Sequence, residues 1–209
     1  YEVVWSRYLS LALANTVYTY TIILVMFLLG VAIGGALFVR FIDRSQNLFA
    51  WFGCFELGIG LSAFAMRPLT YYILMKFEYR TYLSEFLIAG ALMIVPTILM
   101  GATFPLIVKV ATSDVAKVGV WTGRLYAINT FGSIIGAVVA GFLLLPLLGI
   151  ERSIWLLVFC NLGLGLVCLI ANPKRSWRLN SAVIVLTIAA VLTLQKTIKI
   201  EIPKDFLSE

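Results

Sequence analysis

The feature that most restricts this chain is a succession of apolar runs, each long enough to cross a lipid bilayer and separated by only a few polar residues. The hydrocarbon layer is about 30 Å thick and a helix rises about 1.5 Å per residue, so one crossing takes about 20 residues. A chain of 209 residues then has room for six or seven crossings with short connections, and none for a second soluble domain. Composition agrees, with 62% of residues hydrophobic and 12% charged, where a soluble domain is nearer half apolar and a quarter charged. The expectation is an all-α, polytopic transmembrane helix bundle over residues 1–195, with 196–209 a polar tail or the start of a following domain.

Residues 1–14 read as the end of a helix whose beginning is absent, and an opening Tyr1 in place of Met points to a longer product. Complete spans are expected at 16–41 and 48–65, the second stopping at Arg67-Pro68 because proline disfavours helical geometry in the residue before it. Residues 70–84 interleave Tyr71, Tyr72, Phe77, Tyr79 and Tyr82 with Lys76, Glu78 and Arg80, the pattern of an amphipathic helix lying in the membrane interface. A third span at 85–110 is interrupted by Pro96, Gly101 and Pro105, with Thr97 and Thr103 at hand to serve the freed backbone groups. Further spans follow at 120–148 and 153–171 and, after a stop at Asn172-Pro173-Lys174-Arg175, at 179–194.

Several function classes are excluded at this level. The net charge of +6 comes from basic residues standing singly between apolar runs, which suits loop retention and lipid headgroups and not nucleic acid. Cys54, Cys160 and Cys168 lie inside apolar runs and suggest neither a disulfide framework nor a metal site. With no histidine, no glycine-rich phosphate loop and no nucleophile beside a base, these residues carry no signature of catalysis or of a cofactor. Arg40, Arg44, Lys109, Lys117, Arg124, Lys174, Arg175 and Arg178 outnumber Arg7, Arg67, Lys76, Arg80 and Arg152 in the opposite loops. That bias makes the first set cytoplasmic, although Lys196, Lys199 and Lys204 of the tail would cancel it.

Helices in lipid associate where small residues let backbones approach. Gly30 with Gly34, and Gly132 with Gly136 and Ala140, stand four apart and are the candidate packing positions, chiefly within the chain and secondarily between copies; Gly58 with Gly60 and Gly163 with Gly165 add to them. A charge inside a span costs about 2.5–3.5 kcal/mol on insertion scales, which singles out Glu56, set among Trp51, Phe52, Phe55 and Leu57. Glu2, Arg7, Arg124 and Asn129 are the other polar groups on or near spans and complete a candidate intramembrane polar cluster. Three readings of Glu56 stand: a structural pair with Arg7 or Arg124, a protonated hydrogen-bonded carboxyl, or a cation- or proton-binding group facing water.

The opening Tyr1-Glu2-Val3-Val4-Trp5-Ser6-Arg7, the stretch from Phe27-Leu28-Leu29-Gly30 through Gly34-Gly35 to Asp43-Arg44, and Leu57-Gly58-Ile59-Gly60-Leu61-Ser62 resemble the membrane region of spermidine-synthase-like proteins. So do Met100-Gly101-Ala102-Thr103-Phe104-Pro105 and Gly123-Arg124-Leu125-Tyr126-Ala127-Ile128-Asn129-Thr130 with Gly132 following, and the likeness extends to about Ile170. The resemblance implies that a multi-helix membrane region precedes a soluble aminopropyltransferase-like domain, which would bind decarboxylated S-adenosylmethionine and a polyamine; this chain stops near where that domain would begin. The loop from Gly35 to Arg44 is also similar to the Asp-Arg loop after the second helix of major-facilitator transporters.

The expectation is therefore a non-catalytic, multi-pass cell-membrane domain, set in a bacterial inner membrane and acting as scaffold, anchor or accessory subunit, with lipid and protein partners or a second copy around it. The alternatives are an exporter of small cations such as polyamines with Glu56 as the binding carboxylate, and the anchor of an aminopropyltransferase whose catalytic domain lies outside these residues.

Overall fold

A computed structural model describes residues 1–13, 16–76, 81–112, 118–172 and 187. Among these the chain is helical without strands: α1 (Glu2–Ala12), α2 (Val17–Arg44), α3 (Leu48–Lys76), α4 (Tyr82–Ala111), α5 (Val118–Val139), a π turn (Ala140–Leu144) and α6 (Leu145–Ile170). Among the described residues four helical stretches are long and apolar enough to cross a membrane, Val17–Arg44, Leu48–Ile73, Tyr82–Ala111 and the merged Val118–Ile170.

The starts of α2 and α4 are set by hydroxyl caps. Thr16 accepts from the Thr19 N–H at 3.2 Å, and Thr81 with Ser84 forms a reciprocal capping box, each serving N–H groups that have no partner inside the helix. Two expectations change here. The helix over the second span does not stop at Arg67-Pro68 but carries Pro68 within it as far as Lys76, so residues 70–76 are the last turns of α3 and not a separate interfacial helix; 77–80 lie outside the described residues. Pro68 forfeits one backbone bond without ending the helix, and Arg67 beside it pairs with Glu151 of α6. In α4, Pro96 and Pro105 likewise sit inside one continuous helix. The Thr97 hydroxyl donates to the carbonyls of Met93 at 2.7 Å and Ile94 at 3.3 Å, and Thr103 to Met100 at 2.7 Å. These are neighbours of the carbonyls that the prolines strand, which belong to Leu92 and Gly101.

The 53 residues of Val118–Ile170 would make a rod of about 80 Å, far longer than a bilayer is thick. Two local features divide it. Leu145 N–H reaches back to the Ala140 carbonyl in the π turn, a widening that relieves the clash Pro146 would otherwise make with the preceding turn. Gly149 then leaves helical geometry altogether at φ 73°, ψ 175°, a conformation open to glycine and strained for other residues. The expected spans at 120–148 and 153–171 meet at this break. The expected span at 179–194 and the tail from 196 lie outside the described residues, apart from Thr187.

Two seams organise the packing. Helices α2 and α4 run parallel in constant register, Thr19 meeting Glu85 at a separation of 66 residues and Ile42 meeting Lys109 at 67. Helices α3 and α6 run antiparallel, with Gly53 on Gly165, Glu56 on Asn161, Phe64 on Trp155 and Arg67 on Glu151. Helix α1 lays Trp5 and Leu9 into the principal core beside Leu57, Phe64, Met93, Val158 and Leu162.

Candidate functional site

The glycines expected to mediate packing separate into two kinds. A Cβ on Gly30 would fall on the Thr97 side chain, its Cβ 2.7 Å away, and one on Gly34 would collide with the Ile98 carbonyl, whose carbon lies 2.7 Å off. Gly101 answers from α4, since a Cβ there would run into the Val31 carbonyl. The α2 and α4 backbones therefore touch over this stretch, close enough for Cα–H groups to meet carbonyl oxygens. On the other seam Gly53 and Gly165 face each other, a Cβ on either lying 2.9 Å from the other's carbonyl oxygen. Gly132 and Gly136 differ: a Cβ on either would meet nothing within 4 Å, and α5 has no buried residue.

The polar groups also separate. Glu2, Arg7, Arg124 and Asn129 are all exposed, and the structure does not gather them around Glu56. Arg124 lies over the Trp121 ring of its own helix at 5.5 Å, and the Asn129 carbonyl accepts the Ser133 hydroxyl at 2.8 Å. Glu56 is 8% exposed, and its partner is neither Arg7 nor Arg124 but Asn161 of α6, whose Nδ2 donates to Oε2 at 2.8 Å. Tyr1 packs at a tilt against Trp5, 4.7 Å between ring centroids, and Trp5 is wholly buried.

Two further polar devices went unread in the sequence. Glu85, 3% exposed, stands in the first turn of α4 and accepts the Thr19 hydroxyl at 3.0 Å. Thr19 gives its one hydroxyl proton to Glu85, so in its 3.0 Å contact with Thr16 the Thr16 hydroxyl donates. The order is Thr16 to Thr19 to Glu85, a directed chain joining the cap of α2 to the first turn of α4. At the opposite end Lys109 Nζ donates to the carbonyls of Ile42, of Asp43 at 2.7 Å and of Ser45 at 3.2 Å, closing the C-terminal end of α2. A signal for each existed in retrospect: an acid following a Thr-x-x-Ser cap, and a lysine on the last turn of an otherwise apolar helix. Among the described residues no three acidic or thiol groups converge as a metal site would require.

The class defined by this fold is an apolar, multi-helix chain able to cross a membrane several times, held by backbone-contact seams and a few buried polar pairs. The chain is similar to a polyamine aminopropyltransferase of Oceanobacillus iheyensis, 28% identical over 170 residues that make up 81% of this chain and 32% of that protein. This supports a spermidine-synthase-like relationship, and the chain spans about a third of the length of that curated relative. No protein-family profile matches the chain, and no solved structure matches it.

Proposed function

We propose that this chain is the membrane-crossing region of a spermidine-synthase-like protein, and that it anchors an aminopropyltransferase-like catalytic domain lying outside these residues. The observation that carries the reading is the one-third coverage: the likeness to a protein named for aminopropyl transfer runs over most of this chain, while the chain itself folds as long apolar helices. Thr19 with Glu85, Glu56 with Asn161 and Arg67 with Glu151 pair across helix seams, the use expected of a structural support. On this reading the break at Gly149 divides Val118–Ile170 into two crossings, and with the apolar run at 179–194 the chain makes six or seven.

The test is fractionation of cells expressing the complete gene product, followed by assay of aminopropyl transfer. Activity should sediment with membranes and resist alkaline extraction, and a version lacking residues 1–195 should place it in the soluble fraction. A complete product that ends near Glu209, or one whose activity is soluble from the outset, overturns the anchor reading.

A further inference from the structure

Glu56 sits where α3 and α6 press closest. Gly53, one turn before it on α3, lies against Gly165, one turn after Asn161 on α6, so the contact between Glu56 and Asn161 is set inside the tight part of that seam. The pair is also deep. Glu56 is about 12 Å along α3 from its start at Leu48, and Asn161 is about 14 Å from the end of α6 at Ile170 and about 18 Å from the break at Gly149. In a hydrocarbon layer about 30 Å thick, both side chains fall near the middle.

No cationic side chain answers this carboxyl among the described residues. On α1, Glu2 and Arg7 are exposed. On α6, Glu151 is taken by Arg67, which stands about 16 Å along α3 from Glu56, and Arg152 is exposed. On α4, Glu85 and Lys109 are both engaged with α2. The thiols of Cys54, Cys160 and Cys168 and the phenols of Tyr1 and Tyr8 are never positive in any state. What reaches Glu56 is a neutral amide, Asn161 Nδ2 at 2.8 Å from Oε2.

The amide distinguishes the two charge states open to such a group. An ionised carboxylate only accepts, so it would take the Asn161 N–H and leave its charge beside the amide oxygen with nothing to balance it in hydrocarbon. A carboxylic acid has one carbonyl oxygen and one O–H, and an amide has the matching N–H and C=O. The neutral acid therefore fits its partner and avoids an unpaired charge, the adjustment that isolated buried carboxyls ordinarily make.

We propose that Glu56 holds a proton at neutral pH, which makes the α3–α6 crossing a proton-binding acid–amide pair. The proton is on Oε1, leaving Oε2 to accept from Asn161. The ligand of this site is a proton and not a metal ion or an amine cation, and its loss would set a bare charge between two helices whose backbones already touch. The inference rests on the membrane-crossing part of the proposed function and is independent of any anchored enzyme.

The experiment is infrared difference spectroscopy of the full-length protein in lipid nanodiscs at neutral pH, comparing the parent with Glu56→Gln, a neutral side chain of the same shape. The parent should show a protonated-carboxyl band that the variant lacks, with the carboxylate bands unchanged. Loss of carboxylate bands in its place overturns the proposal. Should Glu56→Gln not fold, Asn161→Leu serves: removing the amide should move the protonated-carboxyl band to higher frequency, and a change confined to the carboxylate bands is the contrary result. Spermidine or potassium added to the parent should leave the protonated band in place, and its replacement by carboxylate bands would make Glu56 a cation site instead. Alkaline extraction tests membrane crossing separately. A protein washed off the bilayer fails on the crossing, whereas a retained protein with an ionised Glu56 fails on the pair alone.

Discussion

Helices α2 and α5 carry the same glycine spacing and put it to opposite uses. On α2, Gly30 and Gly34 lie against α4 so closely that neither position has room for a methyl group, whereas Gly132 and Gly136 on α5 face open space. The difference is in the facing helix. Helix α4 offers Thr97, Ile98 and Gly101 in a register that lets backbone meet backbone, and α5 has no such surface opposite it among the described residues. Small residues four apart therefore mark a possible seam, and the complementary helix decides whether it closes.

The contrast can be broken at its strong end first. Gly34→Ala puts a methyl group into the Ile98 main chain, which cannot rotate away, and it should cost about 3 kcal/mol or more, read as loss of the folded fraction in detergent unfolding. Gly30→Ala meets Thr97 instead, whose Oγ1 can rotate away but whose Cβ cannot, so the two helices must part slightly and about 1–3 kcal/mol is expected. Thr97→Gly should restore part of that loss in the double variant, a coupling a remote pair would not show.

Smaller effects belong to the polar ends of the same seam. Lys109→Met removes a donor from three carbonyls and should cost about 2 kcal/mol. Thr19→Val leaves the buried Glu85 without its donor for about 1–2 kcal/mol, while Thr19→Ser should come close to the parent. Both are read from the unfolding midpoint. The smallest change sharpens the weak end. Gly136→Ala should hold or raise stability by up to about 1 kcal/mol, because alanine is the better helix former and nothing stands in the way. A loss as large as that of Gly34→Ala would mean that α5 closes a seam after all, with a segment outside the described residues or with a second copy.

Much of the helix layout was legible because apolar run length is a one-dimensional property. The span expected at 16–41 is α2, and the gap expected between 148 and 153 falls at Gly149. What failed depended on the third dimension. Pro68 looked like a helix end because its local preference is to stop one, yet α3 continues through it to Lys76 beside α6. Asn161 passed unnoticed as the partner of Glu56 because it is one polar residue in the middle of α6, 105 positions away, and nothing local ties the two together. Glu85 read as the polar edge of a span, yet burial there follows from Thr19 on a helix that lies beside it only in the fold.

Parallel neighbours such as α2 and α4 carry an electrical consequence. Their peptide dipoles point the same way, so like partial charges sit side by side at each end, an arrangement that on its own pushes two helices apart. Arg44 stands in the last turn of α2 itself, and two further offsetting charges come from α4. Glu85 is in its first turn and touches the start of α2, and Lys109 is in its last turn and covers the finish of α2. One acid and one base thus each neutralise two helix termini. Turned end over end, the same α4 would set its acid against carbonyls and its base against amides, so these two side chains specify direction as well as contact.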